Sequence, residues 1–255
     1  MELLKNVRKR SFLSEVAYVV LNVLLAVALL VSVVVTNVPW PALGLVFLSK
    51  WRVFAVRSRY WMANIRANMI DTIVGVSMVA LLYAATGSLV TQIILTVLYA
   101  VWLLFIKPRS RRSFVAAQAF IGLVIGIAAL VQVSPGLPAA AVVLASWLIA
   151  YSAARHILSV RHETHLNFLS LMWAFIVAEI MWLTYHWTIG YAIGSTLKLA
   201  QVTIIIAALG FLAERVYVSY HKHGALKYSD VMMPMLLSLS LVAVVLFVFG
   251  GVATI

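Results

Sequence analysis

A chain of 255 residues that is 65% hydrophobic and only 10% charged cannot dress a water-facing surface, for which soluble domains carry about 25% charged residues. It contains no cysteine, which excludes disulfides, iron–sulfur clusters, thiolate metal sites and a cysteine nucleophile. The formal net charge of +12 reports orientation first in a lipid-bathed chain, because Lys and Arg collect on the cytoplasmic side.

The first predicted helix spans 14–36. It follows the basic start KNVRKR (5–10) and contains VLNVLLAVALLVSVVV (20–35). That run does not alternate as a barrel strand would, so helices are the way this chain crosses a bilayer. It is too long for a signal peptide and lacks a small-residue cleavage site, so a retained helix is expected. NVPWP (37–41) ends it as a turn.

The second span, 38–56, is the weak one. Only 38–49 is uncharged, about 18 Å at helical rise. Were it to dip in and return, the chain would have eight spans instead of nine. The segment 50–69 then interleaves Lys50, Arg52, Arg57, Arg59 and Arg66 with Trp51, Phe54, Tyr60 and Trp61. No basic domain projects from the membrane, so nucleic acid is set aside as a partner. The expected partner is the anionic inner leaflet, with cations toward the headgroups and rings toward the hydrocarbon.

Asp71 opens the third span, 70–86. Carboxylates favour helix starts, and Arg59 or Arg66 is the expected partner. A headgroup or metal-phosphate site is the sharper alternative. Spans 88–106 and 113–133 flank KPRSRRS (107–113). Gly122 and Gly126 form a G-x-x-x-G in the latter, a signal for close helix packing. Span 138–156 is rich in Ala and Ser, and the charged connector RHILSVRHETH (155–165) follows.

Span 167–187 carries Glu179 near its middle. An ionisable residue there is costly, which makes it a candidate proton or cation site; the plainer alternative is a protonated or hydrogen-bonded Glu that pins one helix pair. Met172, Phe175, Ile176, Trp182, Leu183 and His186 share its helical face, which is expected to look into the bundle. TIGYAIGST (188–196) reads as a turn. Lys198 and Gln201 begin span 196–217; Lys198 is expected to reach up to the outer interface, and the sharper alternative points it down past Gln201 toward Glu179, in an intramembrane polar site with His186. The connector RVYVSYHKHGALKYSD (215–230) leads to a last span, 231–253.

With nine spans and an inside N-terminus, eighteen of the nineteen Lys and Arg residues fall inside, and Lys198 alone falls outside. The C-terminus is then outside. Eight spans would move the N-terminal tetrad outward and spoil this sorting. His156, His162, His165, His221 and His223 all fall on the inner side. Imidazole beside carboxylate suits Zn or Fe, but HETH is not the H-E-x-x-H of a zinc protease. No cofactor is expected, with a metal or haem on these histidines as the alternative.

The sequence thus reads as one all-α polytopic membrane bundle over 1–255, in a cytoplasmic or plasma membrane. No nucleophile motif assigns catalytic residues. The leading expectation is a small transporter- or channel-like bundle using Glu179. One alternative is a membrane-embedded enzyme acting on a lipid or lipid-linked substrate at the cytoplasmic leaflet. The other is a structural or assembly subunit, as a homo-oligomer or with a partner subunit.

Overall fold

The structure, a computed structural model, describes residues 12–36, 38–187 and 189–247. The basic tetrad of 5–10 and the far end of the last span lie outside the described residues. Nine helices occur among the described residues: α1 (Phe12–Val35), α2 (Trp40–Ser49), α3 (Trp61–Ala84), α4 (Leu89–Val101), α5 (Arg112–Val133), α6 (Ala139–Val160), α7 (Leu166–Tyr185), α8 (Gln201–His223) and α9 (Tyr228–Phe247). Eight segments are helical, long and apolar enough to cross a bilayer; α2, at ten residues, is not. The protein is an all-α membrane bundle.

The path of 38–56 is settled by its contacts with α3. At one end the Tyr83 hydroxyl donates to the Val38 carbonyl. At the other, Asn64 donates to the Val53 carbonyl (3.4 Å) and Trp61 Nε1 to the Val56 carbonyl (3.0 Å). Tyr83 and Trp61 are about 33 Å apart at helical rise. The segment therefore runs antiparallel to α3 along its length and does not dip and return. Gly75 lets α2 sit close, since a Cβ there would come within 2.8 Å of Val46.

The interior is held by small residues and by a few polar bridges. A Cβ at Gly126 of α5 would lie 2.8 Å from Ile149 of α6 and 3.1 Å from Ile73 of α3, so the G-x-x-x-G seats three helices on one another. Such close approach is how helices associate where lipid tails are as apolar as leucine. Gln201 donates to the Val245 carbonyl (2.6 Å) and Ser238 to the Ala208 carbonyl (3.1 Å), tying α9 to α8. Large apolar side chains such as Leu21, Leu237 and Phe247 point outward, as hydrocarbon surroundings allow.

Two local expectations change. The basic-aromatic segment 50–69 is not one element. It forms two 3-10 turns, Trp51–Val53 and Ser58–Tyr60, and then the first turns of α3, which begins at Trp61 and not near residue 70. WMANIRANMI contains no Gly or Pro to stop the helix from extending outward. In place of a turn, residues 190–200 form a β-hairpin, β1 (Gly190–Ile193) paired antiparallel with β2 (Leu197–Ala200). Tyr and Ile suit a strand, and Gly194 takes the left-handed conformation (φ +67°) that the turn needs.

The two ends of the bundle differ in charge. Tyr18 with Leu103, Lys50 and Lys107 with Asp71, His156 with Gln118, and Arg161 with Glu214 all meet at one end. Thr36 with Tyr83, Tyr185 with Leu137, and Gln132 with Lys198 meet at the other. The connectors 107–113 and 215–230 thus share an end, and the hairpin carrying Lys198 is opposite.

Candidate functional site

At the basic end α7 and α8 part, and α5 and α6 floor the gap. The result is a cleft of about 1140 Å³. Its walls are Phe120 and Leu123 of α5, Ala153 and Ile157 of α6, Phe168, Met172, Trp173 and Ile176 of α7, and Gly210, Phe211 and Ala213 of α8. Phe120, Phe168, Met172 and Ile176 are exposed, so the cleft opens sideways toward lipid. Along α7 it runs from His165 to Ile176, about 16 Å at helical rise. That is the depth of one leaflet, half of a hydrocarbon core about 30 Å thick.

The mouth is ionic. Glu163 sits in the short α6–α7 connection with its side chain only 6% exposed. Its Oε2 accepts from the Tyr217 hydroxyl (2.6 Å) and from His221 Nε2 (2.7 Å), and its Oε1 from the His165 amide (3.2 Å). Tyr217 and His221 are four residues apart on α8 and so share a face. These bonds, the Tyr217 hydroxyl's foremost, hold the Glu163 carboxyl down at about 2. A carboxylate held that low is a poor general base at neutral pH. It acts as a fixed negative charge that orients Tyr217 and His221.

Arg161 bonds Glu214 (2.5 Å) and lies 5.1 Å over the Tyr217 ring, and half-exposed Arg215 flanks the same carboxylate. Beside Glu163, His162 takes φ +54°, a conformation costly for a non-glycine residue and frequent at functional loops. The mouth therefore mixes fixed cations and carboxylates above an apolar channel.

A second polar group lies between α2, α3 and α4. Lys50, 6% exposed, follows the end of α2. Lys50 and Lys107 both donate to Oδ2 of Asp71, Lys107 at 2.9 Å. Trp102 Nε1 reaches Asp71 Oδ1 at 3.4 Å. Trp102 opens a π turn, Trp102–Ile106, that finishes α4. Such turns re-aim side chains and recur at functional sites. Burial lowers the Lys107 ammonium below the ordinary lysine range. Gln118 donates to the carbonyls of Ile106 and Arg109 and pairs with His156 through its own oxygen.

Several predicted site residues fall elsewhere. Asp71 pairs with Lys50 and Lys107, not with Arg59 or Arg66. Arg66 is five residues away, which puts it on another face of α3. Arg52, Arg57, Arg59, Trp51 and Trp61 are each exposed along or beside the two turns, where Phe54 meets Trp61 edge to face at 5.6 Å.

The expected Glu179 group does not assemble. Met172, Phe175, Ile176, Trp182 and Leu183 do share a face with Glu179, but that face looks out of the bundle, 41–56% exposed, and Glu179 is exposed with it. The reason is a stripe of Ser170, Ala174 and Ala178, all buried, four residues apart. Small residues win the interior in a membrane bundle, and these pack on the Ala- and Ser-rich α6. His186 is exposed after α7, exposed Lys198 lies in β2 and not in a helix, and Gln201 is spent on Val245.

The histidines likewise divide. His156 meets Gln118, His221 meets Glu163, His223 meets Asp230, and His162 and His165 lie exposed in the α6–α7 connection. Among the described residues no three His, Asp or Glu side chains converge as metal ligands. Compared with known proteins, the chain matches no family model, no curated protein and no solved structure.

Proposed function

We propose that this integral membrane protein binds a lipid or lipid-linked amphiphile drawn sideways from the leaflet at its basic end. The chain lies in the α5–α8 cleft and the polar head meets Arg161, Glu214, Arg215 and the Glu163–Tyr217–His221 group. The observation that carries this reading is an apolar cleft one leaflet deep that ends in a mixed ionic cluster. By the sorting of Lys and Arg, that leaflet is the cytoplasmic one.

Affinity comes chiefly from the head. An acyl chain gains little on leaving lipid for an equally apolar cleft, whereas charge-assisted bonds at the mouth are the stronger kind. The low-lying Glu163 carboxyl favours holding and presenting the amphiphile over acid–base chemistry on it. The transport reading built on an inward-facing Glu179 loses its support, because that residue faces out. A lipid-handling transporter remains within the proposal.

The test is photolabelling. A phospholipid carrying a photoreactive group along its chain is incorporated with the full-length protein into phosphatidylcholine nanodiscs. Crosslinks concentrated on Phe168, Met172, Ile176 and Phe211 support the reading. Labelling spread evenly over the outer faces of α1 and α9 contradicts it.

The outward Glu179 supports a second reading, assembly with another membrane protein or a second copy across the α7 face. A carboxyl amid Phe175, Ile176, Trp182 and Leu183 is costly in lipid and is relieved by a polar partner. Loss of an oligomer or co-purifying subunit on Glu179→Leu tests it.

A further inference from the structure

Charge does not balance around Asp71. Two ammonium groups share one of its oxygens, and the other oxygen takes the Trp102 ring N–H. Asp71 thus offers one negative charge to two lysine side chains. The chain has seven acidic residues, and the rest are elsewhere. Glu163, Glu214 and Asp230 pair with His221, Arg161 and His223. Glu179 faces out from α7, Glu15 is exposed on α1, and Glu2 lies outside the described residues. Among the described residues, no second carboxylate lies within ion-pair distance of Lys50 or Lys107.

The donors are also left over. Each ammonium has three N–H groups. Lys50 is held deep beside α3, whereas the Lys107 side chain is 32% exposed and opens the site to the surface at the basic end. The π turn and the Gln118 bonds to the Ile106 and Lys107 carbonyls fix Lys107 in place. Arg109, Arg111 and Arg112 follow at once in the chain and add to the local positive potential. Lys107 directly follows the membrane-length segment Leu89–Ile106, and the end of a spanning segment is where headgroup phosphates meet a helix.

We propose that Lys50 and Lys107 bind a phosphate-class anion, which supplies the second negative charge that Asp71 alone does not. A phosphate group offers several oxygens to the unspent N–H donors and one or two negative charges. Lysine holds such groups as a point charge. The anion is either a lipid headgroup phosphate or free inorganic phosphate, and the site is independent of the cleft proposed above.

The experiment follows the thermal unfolding midpoint of the purified full-length protein in detergent. Inorganic phosphate is titrated against chloride at matched ionic strength. In parallel, phosphatidic acid is titrated against phosphatidylcholine in mixed micelles. Stabilisation by phosphate identifies a free anion; stabilisation by phosphatidic acid alone identifies a lipid. In either arm Lys107→Gln should weaken half-saturation roughly tenfold or more, the worth of one charge-assisted bond. Asp71→Asn should tighten it by a similar factor, and it keeps the test decisive should Lys107→Gln fail to fold. Lys198→Gln, at the opposite end, should change nothing. Neither ligand stabilising the wild type, or both Lys107→Gln and Asp71→Asn behaving as wild type, overturns the proposal.

Discussion

Replacing Glu179 by leucine should make α7 better suited to its membrane. The carboxyl stands exposed on a face whose other members, Met172, Phe175, Ile176, Trp182 and Leu183, are all large, apolar and 41–56% exposed. Tyr185 ends the helix six residues on, so Glu179 lies about 9 Å inside it. Insertion scales charge an aspartate-type carboxylate about 2.5–3.5 kcal/mol near a helix centre and credit leucine with about 0.5. Glu179→Leu should thus favour insertion by about 3 kcal/mol, roughly a hundredfold. A glycosylation-reporter insertion assay on Leu166–Tyr185 reads this directly. Denaturing-detergent unfolding of the full chain should show stability unchanged or raised. If Glu179→Leu instead costs the isolated chain more than about 1 kcal/mol, the carboxyl is bonded inside the bundle. The outward orientation of α7 would then be refuted.

Gly126→Ala should destabilise by about 1–2 kcal/mol. Overpacking against Ile149 and Ile73 outweighs the better helix propensity of alanine. At Gly44 a Cβ meets nothing within 4 Å, so Gly44→Ala should be neutral or stabilising by up to about 1 kcal/mol; unfolding midpoints in the opposite order would contradict the packing described. Because the folded Glu163 carboxyl titrates near 2 and not at its ordinary 4.5, its contribution is present above about pH 4.5. It is lost as pH falls toward 2. Glu163→Gln should flatten that acid limb in a pH series of unfolding midpoints; an unchanged limb would remove the group's assigned role. The absence of cysteine makes single-cysteine mapping clean. An impermeant maleimide should reach Ser110→Cys and His223→Cys from one side of sealed vesicles and Ser195→Cys only from the other.

How much was legible in the sequence depended on whether a feature is local. Apolar runs and the sorting of cations disclosed the helices and the shared end of 107–113 and 215–230. Gly122 and Gly126 disclosed a packing seam that Ile149 and Ile73 fill. The five apolar residues grouped with Glu179 do share a face with it, because helical spacing is local. Which way that face looks is not, since in lipid the large apolar side chains go out and small ones go in. The Ser170, Ala174 and Ala178 stripe was the available signal. Asp71 finds Lys50 twenty-one residues before it and Lys107 far beyond, a pairing only the path of α2 and the π turn creates. The cleft needed four helices to be placed. The four-residue spacing of Tyr217 and His221 hinted at a shared face, but nothing local points to Glu163 as their acceptor.

The most direct measurement is native mass spectrometry of the protein released from its own membrane. Ala213 lines the cleft and is exposed within it, so Ala213→Trp fills the channel without disturbing the core. The account predicts one retained amphiphile per wild-type chain and its loss in Ala213→Trp at unchanged fold. Wild-type protein that carries no amphiphile, or a variant that retains it equally, would contradict the account.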